Sequence, residues 1–109
     1  AFLLKRFGDA TALVCYNDQI SALVCDLLNR NGKRVPEDIS IVSFDNSPIG
    51  ADPAYNFTTA VYPSVEVGNA AANLLLRCIR DASLREHIRL QPQICYRTSV
   101  KNITDDAEE

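Results

Sequence analysis

The stretch ALVCYNDQISALVCDLLNRNGKRVPEDISIVSFDNS, residues 12–47, decides the fold. It holds two apolar runs, and each ends in a short acidic-amide pair: Asn17-Asp18 after the first, Asp45-Asn46 after the second. Residues 11–16 and 39–44 lack strict polar alternation, the pattern of strands buried on both faces of a parallel sheet. Between them Ile20, Leu23, Val24, Leu27 and Leu28 recur at helical spacing and predict one buried helix stripe. The opposite helix face carries Ala22, Cys25, Asp26 and Asn29, which are small or weakly polar. Asn17 or Asp18 caps the helix start, and Gly32 ends it by tolerating a left-handed backbone. Strand, helix and strand within about 35 residues make a right-handed βαβ unit. Paired as neighbours, the two runs bring both acidic-amide pairs to one edge of a sheet.

Upstream, Phe2, Leu3, Leu4 and Phe7 suit the closing turns of a helix stopped at Gly8-Asp9. Downstream, residues 45–56 form a loop rich in Pro, Gly, Asp and Asn, and residues 57–62 a third strand. Pro63 suits the first position of a helix running to about Ala82, with Val67, Ala71, Leu74, Leu75, Cys78 and Ile79 as its buried stripe. Residues 88–90 and 94–96 read as two short strands around Pro92, and residues 101–109 as an acidic, frayed tail.

The chain has 109 residues, enough for one domain. At 47% hydrophobic and 23% charged it is an ordinary globular composition. A net charge of −3 offers no basic stripe to a phosphate backbone, so this piece is a poor nucleic-acid binder by itself. No apolar run approaches the roughly 20 residues that span a bilayer. The chain contains no Met, so Ala1 is read as lying inside something longer. Cys15, Cys25, Cys78 and Cys95 lack zinc-pair spacing, and His87 is the sole histidine. The cysteines read as small buried hydrophobes in a reducing cytoplasm, and His87 as a solvent-exposed residue.

Chemistry can sit beyond the carboxyl ends of the strands, where open α/β sheets bind ligands. Three ends carry polar or aromatic groups: Asn17-Asp18, Asp45-Asn46 and Tyr62. A carboxylate accepts hydrogen bonds while an amide both donates and accepts, a mixture suited to the vicinal hydroxyls of a sugar. Tyr62 adds an apolar face and a hydroxyl. The plainer reading stands beside this one: Asn17 as a helix cap and Asp45-Asn46 as turn formers. There is no nucleophile elbow, phosphate-cradling glycine loop or metal-ligand pair, so catalysis, metals and cofactors are not expected.

The ordered series ND, Gly32, VPEDIS, FD and FTTAVYP, with the closing QPQICYRTS, resembles the effector-binding domain of LacI/GalR-type bacterial transcriptional repressors. The resemblance runs from Thr11 to Ser99. CYNDQ, residues 15–19, looks particularly like arabinose-responsive repressors, which join this domain to a GntR-type winged-helix headpiece. It implies a periplasmic-binding-protein-like α/β fold, a parallel sheet flanked by helices, with this chain as part of the C-terminal subdomain. The final strands would cross toward an N-terminal subdomain. It further implies that Asn17, Asp45, Asn46 and Tyr62 face a small sugar, arabinose by the narrower resemblance, and that DNA is bound only through a separate headpiece. A homodimer would form through Ala22, Cys25, Asp26 and Asn29 with Ile49 and Tyr55 of the following loop. Ser43 stands where the family usually has Gly, Asn46 where a second Asp is common, and Tyr62 where Gln or His is frequent. Two rival readings remain: a periplasmic sugar-binding protein, and a phosphoacceptor or enzyme holding Mg²⁺ between Asp18 and Asp45.

Overall fold

The computed structural model describes residues 2–104. In chain order they form α1 (Phe2–Phe7), β1 (Ala12–Val14), α2 (Asp18–Arg30), β2 (Ser40–Phe44), α3 (Pro48–Ala51), β3 (Thr58–Val61), α4 (Ser64–Arg80) and β4 (Gln93–Cys95). The sheet runs β1-β2-β3-β4, with the first three strands parallel and β4 antiparallel to β3. Leu13 pairs with Ile41 and Ser43 with Thr59, so the acidic-amide pairs do follow adjoining, like-directed strands. Residues 88–90, expected as a strand, lie outside regular structure; β4 alone pairs there. The short α3 inside the 45–56 loop was not anticipated, although Pro48 at its first turn is a helix-start signal. The acidic tail, residues 105–109, falls outside the described residues.

Helix α2 begins and ends as its sequence dictates. Asn17 Oδ1 accepts from the Ile20 amide at 2.9 Å, taking up one orphan donor of the first turn. At the other end Gly32, at φ 73°, donates to the Asn29 carbonyl and Lys33 to the Leu28 carbonyl, the paired closing bonds that a left-handed residue permits.

The face α2 buries is not the one its apolar content predicts. Asp18, Ser21, Ala22, Cys25 and Leu28 are buried, whereas Leu23 is 66% and Ile20 43% exposed. Ala22, Cys25 and Leu28 pack with Cys15, Ile39, Ile41 and Phe57, while Leu4, Phe7 and Tyr55 close the rim. Small side chains let the helix axis approach the sheet closely, and the polar ones are satisfied from β2 and β3; the bulkier Ile20 and Leu23 turn outward. Ala22 and Cys25, expected at a dimer surface, are therefore core residues. Burial pushes the Cys15 and Cys25 thiols above their usual pKa, while Cys78 and Cys95 are half-buried.

The sheet is covered on the α2 face and only partly on the other, where Ser40, Thr58 and Ala60 are buried. Leu13, Ile41, Ser43 and Thr59 point toward α2, but Val14 (74% exposed), Phe44 and Ile94 on the other face are open. Helix α4 does not close it: none of its residues is buried, and Leu75 and Ile79 of the expected stripe are exposed. Accordingly the radius of gyration is 18.8 Å, against about 13 Å for a compact domain of this length. The chain returns from α4 beside Arg77, which pairs with Glu86. It then runs through β4 to Ser99, whose hydroxyl accepts from the Thr58 amide (2.8 Å) and donates to the Ile41 carbonyl (2.6 Å), tying β2 to β3.

Two substitution sets test this packing. Leu28→Ala should cost about 2–5 kcal/mol by leaving a cavity, and Ala22→Leu about 1–3 kcal/mol by overpacking. Leu23→Ala should change the unfolding free energy by less than about 0.5 kcal/mol. Urea denaturation that ranks Leu23 with Leu28 would refute the assignment of faces. Gly50 is the second case: a Cβ there would lie 2.5 Å from Asp18 Oδ2, while a Cβ on Gly68 of α4 meets nothing within 4 Å. Gly50→Ala should cost about 1–3 kcal/mol, and Gly68→Ala should stabilise by about 0.5–1 kcal/mol through helix propensity.

Candidate functional site

The carboxyl ends of β1, β2 and β3 form one rim, and each end has a distinct structural job. After β1, the Asn17 side-chain oxygen is committed to capping α2, and only its amide nitrogen is left to face solvent. Asp18 turns inward and is 1% exposed. Its Oδ1 accepts from Ser43 Oγ at 2.6 Å and Thr59 Oγ1 at 3.3 Å, and its Oδ2 from the Ser47 amide at 2.6 Å. Ser21 Oγ in turn donates to Ser43 Oγ at 2.7 Å. All of Asp18's partners here are donors, which is what a buried carboxyl group requires. Asp18 is committed to three internal donors and shut off from solvent, whereas the phosphoacceptor reading needs it open beside Asp45 to share a metal.

After β2 the chain makes a turn with Asp45 at φ 99° and Asn46 at φ 57°. Both are left-handed, a region in which Asn and Asp are the most tolerated non-glycine residues. The Asp45 amide donates to the Ala60 carbonyl at 3.0 Å, and Asp45 itself is exposed. Among the described residues its carboxylate makes no hydrogen bond and no ion pair, so it is a free acceptor at the rim. Asn46 differs: its Oδ1 accepts from Arg97 Nη2 at 2.5 Å.

After β3, Tyr62 is 58% exposed and lines the same groove as Asp45. That groove, about 510 Å³, runs between the rim, α4 and the returning chain; Phe44, Val67, Ala71, Leu74, Ile88 and Leu90 also line it. Asp45 and Tyr62 carry the polar side chains of its lining, and the remaining wall is apolar. The structure thus brings Asp45 and Tyr62 together, leaves Asn17 outside the groove, and gives Asn46 a partner within the chain. Asp18 and Arg97 were missed as site-building residues by sequence reasoning. The ND pair did contain a signal: one residue caps the helix, which leaves the other to point inward.

On the outer side, Tyr55 Oη donates to both Asp26 oxygens at 3.1 and 3.2 Å, which raises the Tyr55 pKa. Tyr55 also stacks on Phe57 with ring centroids 5.5 Å apart. This locks the loop after α3 onto α2. Ile49 of α3 stays 37% exposed, and Asn29 is exposed. His87 is exposed as expected. Among the described residues no helix is long and apolar enough to cross a membrane.

Residues 3–100 match the family described as periplasmic binding protein-like domain. The arabinose metabolism transcriptional repressor of Geobacillus stearothermophilus is 36% identical over 95 residues, covering 85% of this chain and 26% of that protein. The HTH-type transcriptional repressor PurR of Aliivibrio fischeri is 36% identical over 93 residues, covering 84% and 28%. A crystal structure of a LacI family transcriptional regulator from Enterococcus faecalis with bound ribose superposes with a TM-score of 0.77 at 30% identity, covering 91% of this chain and 37% of that one. The chain spans about a quarter of the length of the curated relatives it matches. The matched proteins are described as regulators of transcription, and the solved one shares this fold. The chain belongs to the periplasmic binding protein-like domain family, in the form that serves LacI/GalR-type transcriptional repressors as their effector-binding domain.

Proposed function

We propose that this domain senses a small sugar for a cytoplasmic transcriptional repressor, acting by binding and not by catalysis. The observation that carries the reading is Asp45: an exposed carboxylate at the end of a parallel strand, unpartnered among the described residues, with Tyr62 lining the same groove. A carboxylate there can accept from two vicinal hydroxyls while the tyrosine ring covers the apolar face of the sugar. Asn17 contributes through its amide nitrogen from the neighbouring strand end. Asn46 supports the turn. Arabinose and ribose are the first sugars to test, given the relatives' names and the ribose-bound neighbour.

The apolar remainder of the groove is a poor surface for a sugar and a good one for packed protein. In this reading α4 and the open sheet face are covered by other parts of the intact repressor, and the sugar sits between two subdomains. It controls DNA binding by a separate headpiece only through different affinity for the two arrangements of those subdomains. A periplasmic sugar-binding protein would share this fold. The relatives' descriptions as transcriptional repressors favour the regulator.

In the intact protein, Asp45→Ala should remove the thermal shift produced by the recognised sugar, with the sugar-free melting temperature within about 2–4 °C of the parent, as suits an exposed position. Wild-type sugar response in that variant would refute the site. Self-association belongs to the same reading. Its candidate surface is the apolar set that α2 and α3 leave exposed, Ile20, Leu23 and Ile49, in place of the buried Ala22 and Cys25. Leu23→Glu should convert a dimer to a folded monomer in sedimentation velocity, and an unchanged sedimentation coefficient would remove this face from consideration.

A further inference from the structure

We propose that Arg97 is a positioning residue for effector binding, acting through Asn46 on the turn that presents Asp45. The proposal rests on the reading of Asp45 as an effector contact.

Three consecutive residues of that turn are each tied to a different part of the chain. The Asp45 amide donates to the Ala60 carbonyl of β3 at 3.0 Å. The Ser47 amide donates to Asp18 Oδ2 of α2 at 2.6 Å. Between them, Asn46 Oδ1 accepts from Arg97 Nη2 at 2.5 Å. The first and last tethers hold backbone; the middle one holds a side chain whose residue, like Asp45 before it, sits in left-handed backbone at φ 57°. Successive non-glycine residues in that region persist only where the surroundings over-determine them.

Arg97 is suited to this because it is itself fixed. Its amide donates to Thr58 Oγ1 at 2.9 Å, the Thr58 hydroxyl lies 3.2 Å from the Arg97 carbonyl, and Nη1 donates to the Phe57 carbonyl at 3.0 Å. The guanidinium is thus one rigid fork with one prong on the β3 entrance and the other on the effector turn. Asp45 has no side-chain tether of its own among the described residues, so its direction is set by this backbone. Loss of the fork leaves Asp45 chemically intact and lets the turn relax toward ordinary φ, so binding weakens because the carboxylate is no longer held where the sugar needs it. Arg97 follows β4, the strand reached only after the chain has travelled out along α4 and back.

The test is a mutant cycle in the intact protein, with affinities for L-arabinose and D-ribose measured by calorimetry beside the sugar-free melting temperature. Arg97→Gln and Asn46→Ala should each weaken binding of the recognised pentose by about tenfold, the scale of one hydrogen bond to a charged group. The double variant should be no weaker than either single one, because both remove the same contact. Asn46→Asp, which keeps an acceptor for the guanidinium, should restore most of the affinity lost in Asn46→Ala. Losses that add in the double variant, or wild-type affinity in Arg97→Gln while Asp45→Ala abolishes binding, would overturn the positioning role and leave the Asp45 site standing. Wild-type affinity in Asp45→Ala would instead overturn the site on which the role rests. Should Arg97→Gln fail to fold, the comparison of Asn46→Ala with Asn46→Asp decides: equal losses in both overturn the proposal.

Discussion

The structure depends on one buried carboxyl group. Asp18 starts α2, is shut off from solvent, and is hydrogen-bonded to Ser43 of β2, Thr59 of β3 and the Ser47 amide that leads into α3. Four elements meet at its two oxygens. A buried polar group of this kind is costly unless every partner is in place, so the arrangement is cooperative: moving any one element leaves an unsatisfied group, at about 1–3 kcal/mol. The position at the first turn of α2 favours negative charge, since the helix N-terminus carries partial positive charge. Ser43 serves this hub as a donor to Asp18 and an acceptor from Ser21. Gly50 is required for the matching reason: no Cβ fits against the carboxylate.

This hub divides labour between two adjacent acidic residues of the rim. Asp18 builds and Asp45 faces out. Because α2, β2 and β3 are locked to one another through Asp18, the turn after β2 starts from a fixed place, and the ties from Ala60 and Arg97 decide where its exposed carboxylate points. A rigid scaffold carrying an untethered carboxylate suits recognition, since ordering costs are met on folding and not on binding.

The remainder of the molecule is unfinished as a surface. One sheet face is partly open at Val14, Phe44 and Ile94, and α4 carries Val65, Leu75 and Ile79 into solvent. A parallel sheet is stable with both faces covered, and an amphipathic helix with its stripe packed. The domain therefore presents two apolar surfaces that suit further protein, and its groove joins them beside Asp45.

The sequence by itself determined the local elements and their direction. The apolar runs, the Asn17 cap, the Gly32 stop and the short spacing between them required a strand-helix-strand unit with parallel neighbours, because these are properties of nearby residues. The same runs placed Asp45 and Tyr62 at strand ends. Only the tertiary structure decided which face of α2 is buried. Ile20 and Leu23 outweigh Ser21, Ala22 and Cys25 in hydrophobicity, yet closeness to the sheet favours the small residues, and hydroxyls from β2 and β3 satisfy the polar ones. Tertiary structure likewise decided that Asn17 spends its oxygen on a cap, that Asn46 meets Arg97 across 51 positions of sequence, and that α4 leaves the sheet. Each of these depends on which distant groups arrive at the same place, and no local pattern encodes that.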